Sequence, residues 1–242
     1  CIRDRVLSAG RIPSLADLTE ADSEAKGCPK RRRMRTYLFD LDGTLLDSIE
    51  LILHSFHHTT RVHMGRELGD AYWLRGVGTP LRDQLATIAE SPAELDALLD
   101  TYRAFNLETH DRMARAYPGV VDVVRSLEAR GSKLALVTSK LSTGAERGLK
   151  LLGLTESFSV RVCADDVENG KPHPEPVWKA LSALGEEPEH SVFIGDSLHD
   201  VQSGKRAGVK TAVVSWGPFG RAPFEDEPPD HWLEHPEEIL RL

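Results

Sequence analysis

Arg35-Thr36-Tyr37-Leu38-Phe39-Asp40-Leu41-Asp42-Gly43-Thr44 is the stretch on which the fold turns. Tyr37, Leu38 and Phe39 are consecutive, large and apolar. A segment apolar on both faces suits a strand covered from both sides, as strands of parallel sheets are. Asp40 and Asp42 follow at once, and Gly43 and Thr44 break the strand. Polar residues at a strand's carboxyl end sit where ligands bind in an open α/β sheet.

Working outward, Asp47 and Ser48 are good helix N-caps, and Ile49 to about Val62 continues at helical period. Gly76, Gly78 and Pro80 make a loop. Ser91-Pro92-Ala93-Glu94 starts another helix, with Ser at the cap, Pro in the first turn and Glu three residues after the Ser. Leu95, Leu98, Leu99, Tyr102 and Phe105 carry it forward on one face. The pattern changes at Pro118-Gly119. Helices to Arg130, over Leu141–Leu152, Pro176–Leu184 and Asp200–Ala207 each end at a glycine: Gly131, Gly153, Gly185 and Gly208. Strands are expected over Lys133–Thr138, Ser159–Cys163, Ser191–Ile194 and Thr211–Val214. Strands alternating with helices predict an α/β fold: a doubly wound parallel sheet, interrupted after its first strand by a helical insert. The expected division is a core of residues 34–46 and 118–242 with a helical cap of residues 47–117. The acidic, Pro-rich stretch from Pro223 to Asp230 reads as a surface loop.

Residues 1–33 differ from the rest, with eight basic side chains against five acidic ones, and Lys30 to Arg33 form a basic run. They read as an N-terminal extension, disordered or foreign, with Met34 as the expected natural start. The whole chain has 242 residues, 40% of them hydrophobic, and a formal net charge of −8. That suits a soluble protein with a core and argues against nucleic acid as a partner. No apolar run approaches the roughly 18 residues that span a bilayer, and no secretory leader pattern is visible, so a cytoplasmic protein without a membrane partner is expected. Cys1, Cys28 and Cys163 have neither metal-ligand spacing nor an even number, which argues against a disulfide scaffold. Nothing in the chain specifies an oligomeric state.

Four strand ends carry polar residues: Asp40 with Asp42, Thr138 with Ser139, Lys171-Pro172, and Asp196 with Asp200. Alone, each has an ordinary explanation, such as a surface turn, a strand-end cap, a solvated charge or a helix-capping pair. At one sheet edge they form a metal and phosphate site. Four carboxyls repel one another without a cation, and oxygen ligands without thiolate or imidazole point to Mg²⁺. Phosphoryl oxygens need charge and donors, which Lys171 and Thr138 supply. Two aspartates two residues apart allow one to attack phosphorus and the other to handle the leaving-group proton.

Asp40-Leu41-Asp42-Gly43-Thr44-Leu45-Leu46-Asp47-Ser48 resembles the first motif of the haloacid dehalogenase superfamily. Thr138, Lys171-Pro172 and Gly195-Asp196-Ser197-Leu198-His199-Asp200 match its second, third and fourth motifs in order. The resemblance covers the chain from about Met34 to about Trp232. It implies a Rossmann-like core and a hydrolase acting on phosphate esters or anhydrides. It further implies that Asp40 becomes an aspartyl-phosphate and that Asp42 serves as acid, then base. Thr138 and Lys171 would hold the phosphoryl oxygens. Asp196, Asp40 and the backbone carbonyl of Asp42 would bind Mg²⁺, with Asp200 in support. Gly43, Thr44 and Ser139 would line the substrate. Aspartate at position 42 fits phosphatases and mutases more than dehalogenases.

The cap strings Ser55-Phe56-His57-His58-Thr59 and Tyr102-Arg103-Ala104-Phe105-Asn106 with His110-Asp111 resemble the PpaX-type pyrophosphatases of the superfamily, and the body of the chain also resembles its phosphoglycolate phosphatases. Inorganic pyrophosphate is therefore the expected substrate, with phosphoglycolate or another small phosphomonoester as the alternative. His58, Arg103 and Asn106 are the cap residues expected to meet it, because a second phosphate needs cations and donors. A sugar-phosphate mutase and a non-catalytic regulator of the same fold stand as further alternatives. The regulator is disfavoured because Asp40 and Lys171 are both present.

Overall fold

The computed structural model describes residues 34–242, so the expectations for residues 1–33 lie outside the described residues. In chain order the strands are β1 (Thr36–Phe39), β2 (Leu46–Asp47), β3 (Arg115–Ala116), β4 (Lys133–Val137), β5 (Val160–Val162), β6 (Ser191–Gly195), β7 (Lys210–Val214) and β8 (His231–Leu233). The α-helices are α1 (Ile49–Met64), α2 (Asp70–Leu74), α3 (Leu81–Ala86), α4 (Pro92–Met113), α5 (Val120–Ala129), α6 (Ser142–Leu152), α7 (Glu175–Leu184) and α8 (Leu198–Ala207). Six strands form a parallel sheet in the order β5-β4-β1-β6-β7-β8. The chain leaves β1 toward one edge, then returns to its other side at β6, so the switch in strand order lies at β1.

The run at 37–39 is apolar throughout because successive residues face opposite helical layers, Tyr37 and Phe39 one and Leu38 the other. Phe39 packs with Val123, Val124 and Leu127 of α5 and Leu149 of α6, while Leu38 packs with Val177 and Leu181 of α7. All of these side chains are buried, and each contributes roughly 1.5–3 kcal/mol of apolar transfer free energy.

Between β2 and β3 the chain is helical, as the apolar spacing predicts. β2 and β3 pair antiparallel, and Arg115 donates to Asp47 across them, so the chain enters and leaves the cap side by side. The cap has its own core of Phe56, Trp73, Leu85, Leu98, Leu99 and Tyr102, with the Phe56 and Trp73 rings stacked at 4.0 Å. Phe56 is fully buried, whereas Phe105 is half-buried and stacks on His58 at 4.3 Å.

Four local expectations need correction. Ser48 stands at the head of α1 but its hydroxyl does not cap the helix; it donates to Asp42 Oδ1 at 2.5 Å. Ser91 does cap α4, accepting from the Glu94 N–H at 3.2 Å, but the Glu94 carboxylate turns to the Glu90 N–H instead of closing a capping box. α8 begins at Leu198, ahead of the expected Asp200, because Ser197 supplies the cap. The stretch 223–230 is not wholly a surface loop: Phe224 is buried against Val201 and Val213, with Trp232 of β8 edge-on at 5.1 Å. β8 was not foreseen, since three residues after an acidic segment carry too little pattern to read as a strand. No helix among the described residues is long and apolar enough to cross a membrane.

Candidate active site

β1 and β6 are adjacent and parallel, with Phe39 opposite Ile194, so Asp40 and Asp196 emerge side by side from their carboxyl ends. The Asp40 N–H donates to the Ile194 carbonyl at 2.9 Å, carrying the ladder one residue beyond the strand. Thr138 follows β4 on the other side of β1 and is buried. Lys171 arrives from the loop beyond β5. The parallel order therefore brings all four polar strand ends to one crevice.

Lys171 joins them. Its Nζ lies 2.6 Å from Asp200 Oδ1 and 3.1 Å from Asp40 Oδ1, and all three side chains are buried. Asp200 uses its second oxygen locally: Oδ2 accepts from the Ser197 hydroxyl at 2.6 Å and the Ser197 N–H at 3.0 Å. One carboxylate thus caps α8 and fixes the lysine. The helix-capping explanation of Asp200 and its role beside Lys171 hold together.

Burial pushes the Asp40 carboxyl up to about 7; Lys171 opposes this, while Asp200 and Asp42 add to it. Burial likewise raises Asp196 well above the usual carboxylate range, reinforced by Asp200 and Asp40. Burial disfavours the Lys171 ammonium, but Asp200 and Asp40 outweigh it and hold the group above its ordinary value. Three buried carboxylates against one ammonium leave an excess of negative charge that a dry site does not tolerate.

That excess identifies what would complete the site. Oxygen atoms of Asp40, Asp196 and Asp200 lie within 4.8 Å of one another, a spacing that fits a shared metal ion. Asp196 Oδ2 is buried and has no hydrogen-bond partner among the described residues. The donor set is all oxygen, which suits a hard divalent cation. The surrounding backbone leaves no room for side chains. Gly43 has φ +81°, and a Cβ there would lie 2.3 Å from Asp196 Oδ2. Thr44 Oγ1 reaches Asp196 Oδ1 at 3.4 Å, and the Thr44 carbonyl accepts from the Trp216 indole at 3.0 Å.

Asp42 is held by Lys140, which sequence reasoning did not single out, and by Ser48, which it read as a helix cap. Lys140 Nζ donates to both its oxygens at 2.9 Å, and Ser48 adds a third contact. Lys140 was legible in principle: it stands two residues after Thr138 at the same strand end. Ser139, expected against substrate, lines the cavity between cap and core, and its hydroxyl donates to the Gly78 carbonyl of the cap loop at 2.7 Å.

A cavity of about 770 Å³ lies between cap and core, bordered by Asp40, Asp42, Thr138, Lys140 and Lys171 below. On the cap side, one stripe of α4 contributes Arg103, Asn106, Leu107 and His110, spaced as neighbours on a helix face, beside Ile52 and Phe56 of α1 and the segment 77–84. Arg103 is exposed; Asn106 donates to Ser55 Oγ at 3.1 Å. His58 is not among the lining residues and lies against Phe105. His110, read from sequence only as part of a cap string and not as a substrate contact, continues the stripe four residues after Asn106. Arg147 of α6 also lines the cavity, and its guanidinium pairs bidentately with Asp111 at 2.8 and 3.0 Å.

The family model for haloacid dehalogenase-like hydrolases matches residues 37–214. The chain is 42% identical over 209 residues to Pyrophosphatase PpaX of Halalkalibacterium halodurans, covering 86% of this chain and 96% of that protein. Pyrophosphatase PpaX of Bacillus cereus is 42% identical over 210 residues, covering 87% and 96%. Among solved structures, a predicted phosphoglycolate phosphatase from Haemophilus somnus superposes with a TM-score of 0.78 at 23% identity, over 86% of this chain and 97% of that one; the likeness is one of fold.

Proposed function

The chain belongs to the haloacid dehalogenase-like hydrolase family, and from that premise we propose that it is a metal-dependent phosphohydrolase that uses Asp40 as nucleophile and inorganic pyrophosphate as substrate. The observation that carries the chemistry is the buried grouping of Asp40, Asp196 and Asp200 around Lys171. The choice of pyrophosphate rests on the similarity to the PpaX pyrophosphatases over nearly their whole length.

On this reading Asp40 attacks phosphorus and the bond to the leaving-group oxygen breaks. Asp42 gives that oxygen a proton, then takes one from the water that attacks the aspartyl-phosphate and frees inorganic phosphate. Lys171 and the Thr138 hydroxyl neutralise and orient the phosphoryl oxygens. Asp40, Asp196 and the Asp42 carbonyl would hold Mg²⁺, with Asp200 in support through Lys171; the ion supplies positive charge beside the transferring group. Asp42 needs a fixed direction for its two proton transfers, and Lys140 and Ser48 provide it.

A second reading has one observation in its favour. The cavity of about 770 Å³ falls in the range that accepts an organic ligand, and Ile52, Phe56 and Leu107 give it apolar walls. A phosphomonoester with a small organic leaving group would use the same chemistry.

The test is phosphate release from pyrophosphate, phosphoglycolate and p-nitrophenyl phosphate, with Mg²⁺ and after EDTA treatment. Pyrophosphate should have the highest kcat/KM, EDTA should abolish turnover, and Ca²⁺ should inhibit because it prefers more ligands and looser geometry. Asp40→Asn should cost at least about a thousandfold in kcat. Near-normal turnover by Asp40→Asn would end the covalent reading; a clear preference for phosphoglycolate would favour the second substrate class.

A further inference from the structure

His110 is buried, on the α4 stripe that lines the cavity, four residues beyond Asn106. Its Nδ1 lies 2.8 Å from Asp111 Oδ1. A carboxylate only accepts, so Nδ1 carries a proton and the ring is held in one orientation. Asp111 is in turn fixed by both nitrogens of the Arg147 fork, which ties the end of α4 to α6 of the core. The other ring nitrogen, Nε2, is buried and has no hydrogen-bond partner among the described residues.

A buried nitrogen without a partner is destabilising, and folded proteins rarely keep one without a use. Its surroundings define what would satisfy it. Lys140, Arg103 and Arg147 border the same cavity, so a guest there meets cations on several sides. With Nδ1 protonated and facing a carboxylate, the ring can accept a second proton on Nε2 and become an imidazolium donor. An anionic oxygen is the complement of that group.

We infer that His110 is a specificity residue that donates from Nε2 to the leaving phosphate of the substrate, with Asp111 and Arg147 as its positioning residues. The inference rests on the pyrophosphate reading above and deepens it. No bond to phosphorus is made or broken at His110: Nε2 takes its proton from an O–H of solvent or of bound hydrogen pyrophosphate, and returns it to solvent when phosphate leaves. A leaving group without an anionic oxygen gains nothing from this contact.

The experiment compares the full chain with His110→Gln and His110→Leu on pyrophosphate and on p-nitrophenyl phosphate. Imidodiphosphate serves as a non-hydrolysable probe by calorimetry, and melting temperature reports folding. His110→Leu should lose roughly 10- to 100-fold of kcat/KM on pyrophosphate, the range for one charge-assisted hydrogen bond, and bind imidodiphosphate correspondingly more weakly. p-Nitrophenyl phosphate turnover should stay near wild type. Glutamine can offer an amide N–H near the place of Nε2, so His110→Gln should recover part of the loss. In the ¹⁵N-histidine-labelled wild type, the His110 Nε2 signal should move on adding imidodiphosphate, a readout that needs no folded variant beyond the one used for assignment. Equal losses on both substrates, undiminished imidodiphosphate affinity, or an unmoved Nε2 signal would overturn the inference. A wild type that cleaves p-nitrophenyl phosphate but not pyrophosphate would overturn the substrate reading and this inference with it. A wild type active on pyrophosphate with an equally active His110→Leu would overturn only the inference.

Discussion

Lys140 Nζ stands 2.9 Å from each of the two carboxylate oxygens of Asp42, closing a symmetrical contact from the end of β4 to the end of β1. Both side chains are largely buried at the floor of the cavity, so the contact is screened less than a surface pair. Asp42 must keep one direction through two proton transfers if it serves as acid and then base. Lys140→Ala should therefore lower kcat by roughly 10- to 100-fold, in line with one charge-assisted contact. Lys140→Arg should restore part of the rate, since a fork can also meet two oxygens. Steady-state kinetics on both variants check this; an unchanged kcat in Lys140→Ala would show that Ser48 alone holds Asp42.

Lys171 presents a stability question as well as a catalytic one. Its ammonium lies between Asp40 and Asp200, and all three are buried. Lys171→Met leaves two carboxylates close together without compensation. Breaking a buried pair in this way costs about 3–5 kcal/mol. Urea denaturation in EDTA should show that loss at neutral pH. Asp200→Asn, which keeps the Ser197 contact through its side-chain oxygen, should cost less. Equal stabilities for wild type and Lys171→Met would mean that the carboxylates protonate instead of remaining charged.

How much was legible follows from what each signal depends on. β1 and the strand ends were readable because buried parallel strands are continuously apolar and the turns after them carry charges that nothing else explains. Positions 40, 42, 138, 171, 196 and 200 could therefore be assembled at one edge from topology alone. Lys140 and His110 were not, because a lysine or histidine on a helix or strand end looks the same in sequence whether it meets solvent or a carboxylate. Only the fold brings Asp42 within reach of Lys140, 98 residues away. The same limit explains Ser48, whose place before a helix suggested a cap while its hydroxyl serves Asp42. β8 and buried Phe224 escaped notice because edge strands are short and the acidic residues around them dominate the pattern.

Gly43 tests the packing around Asp196. Its φ of +81° is a conformation that side chains with a Cβ rarely adopt, and a Cβ there would lie 2.3 Å from Asp196 Oδ2. Either the turn or Asp196 must shift. Gly43→Ala should lose about 1–3 kcal/mol of stability from the strained backbone and most of its Mg²⁺-dependent turnover. Calorimetric titration with Mg²⁺ would separate the effects: the variant should bind the ion more weakly even when folded. Mg²⁺ affinity equal to wild type would show that Asp196 adapts without cost.

The pH dependence of stability can be tested away from the site, at Asp230. Its Oδ1 meets Lys210 Nζ at 2.7 Å, and its Oδ2 accepts from the Thr211 N–H at 2.9 Å and the Thr211 hydroxyl at 3.1 Å, tying the loop before β8 to the start of β7. Partial burial works against the charged form, but Lys210 and the Thr211 donors outweigh it, so the folded carboxyl titrates below its ordinary range. The unfolded carboxyl titrates near 3.9. A group whose folded pKa is depressed stabilises the protein fully above the unfolded value, and that contribution fades as pH falls through the folded value. Asp230→Asn removes the titration and keeps an acceptor for Thr211. The variant should therefore be less stable than wild type at pH 6 to 7, and the gap in urea midpoint should narrow below about pH 4. Lys210→Met should shrink the gap at neutral pH without removing it, because the Thr211 donors remain. A gap that stays constant from pH 7 to pH 3 would mean that Asp230 stabilises the β7–β8 edge by packing and not by charge.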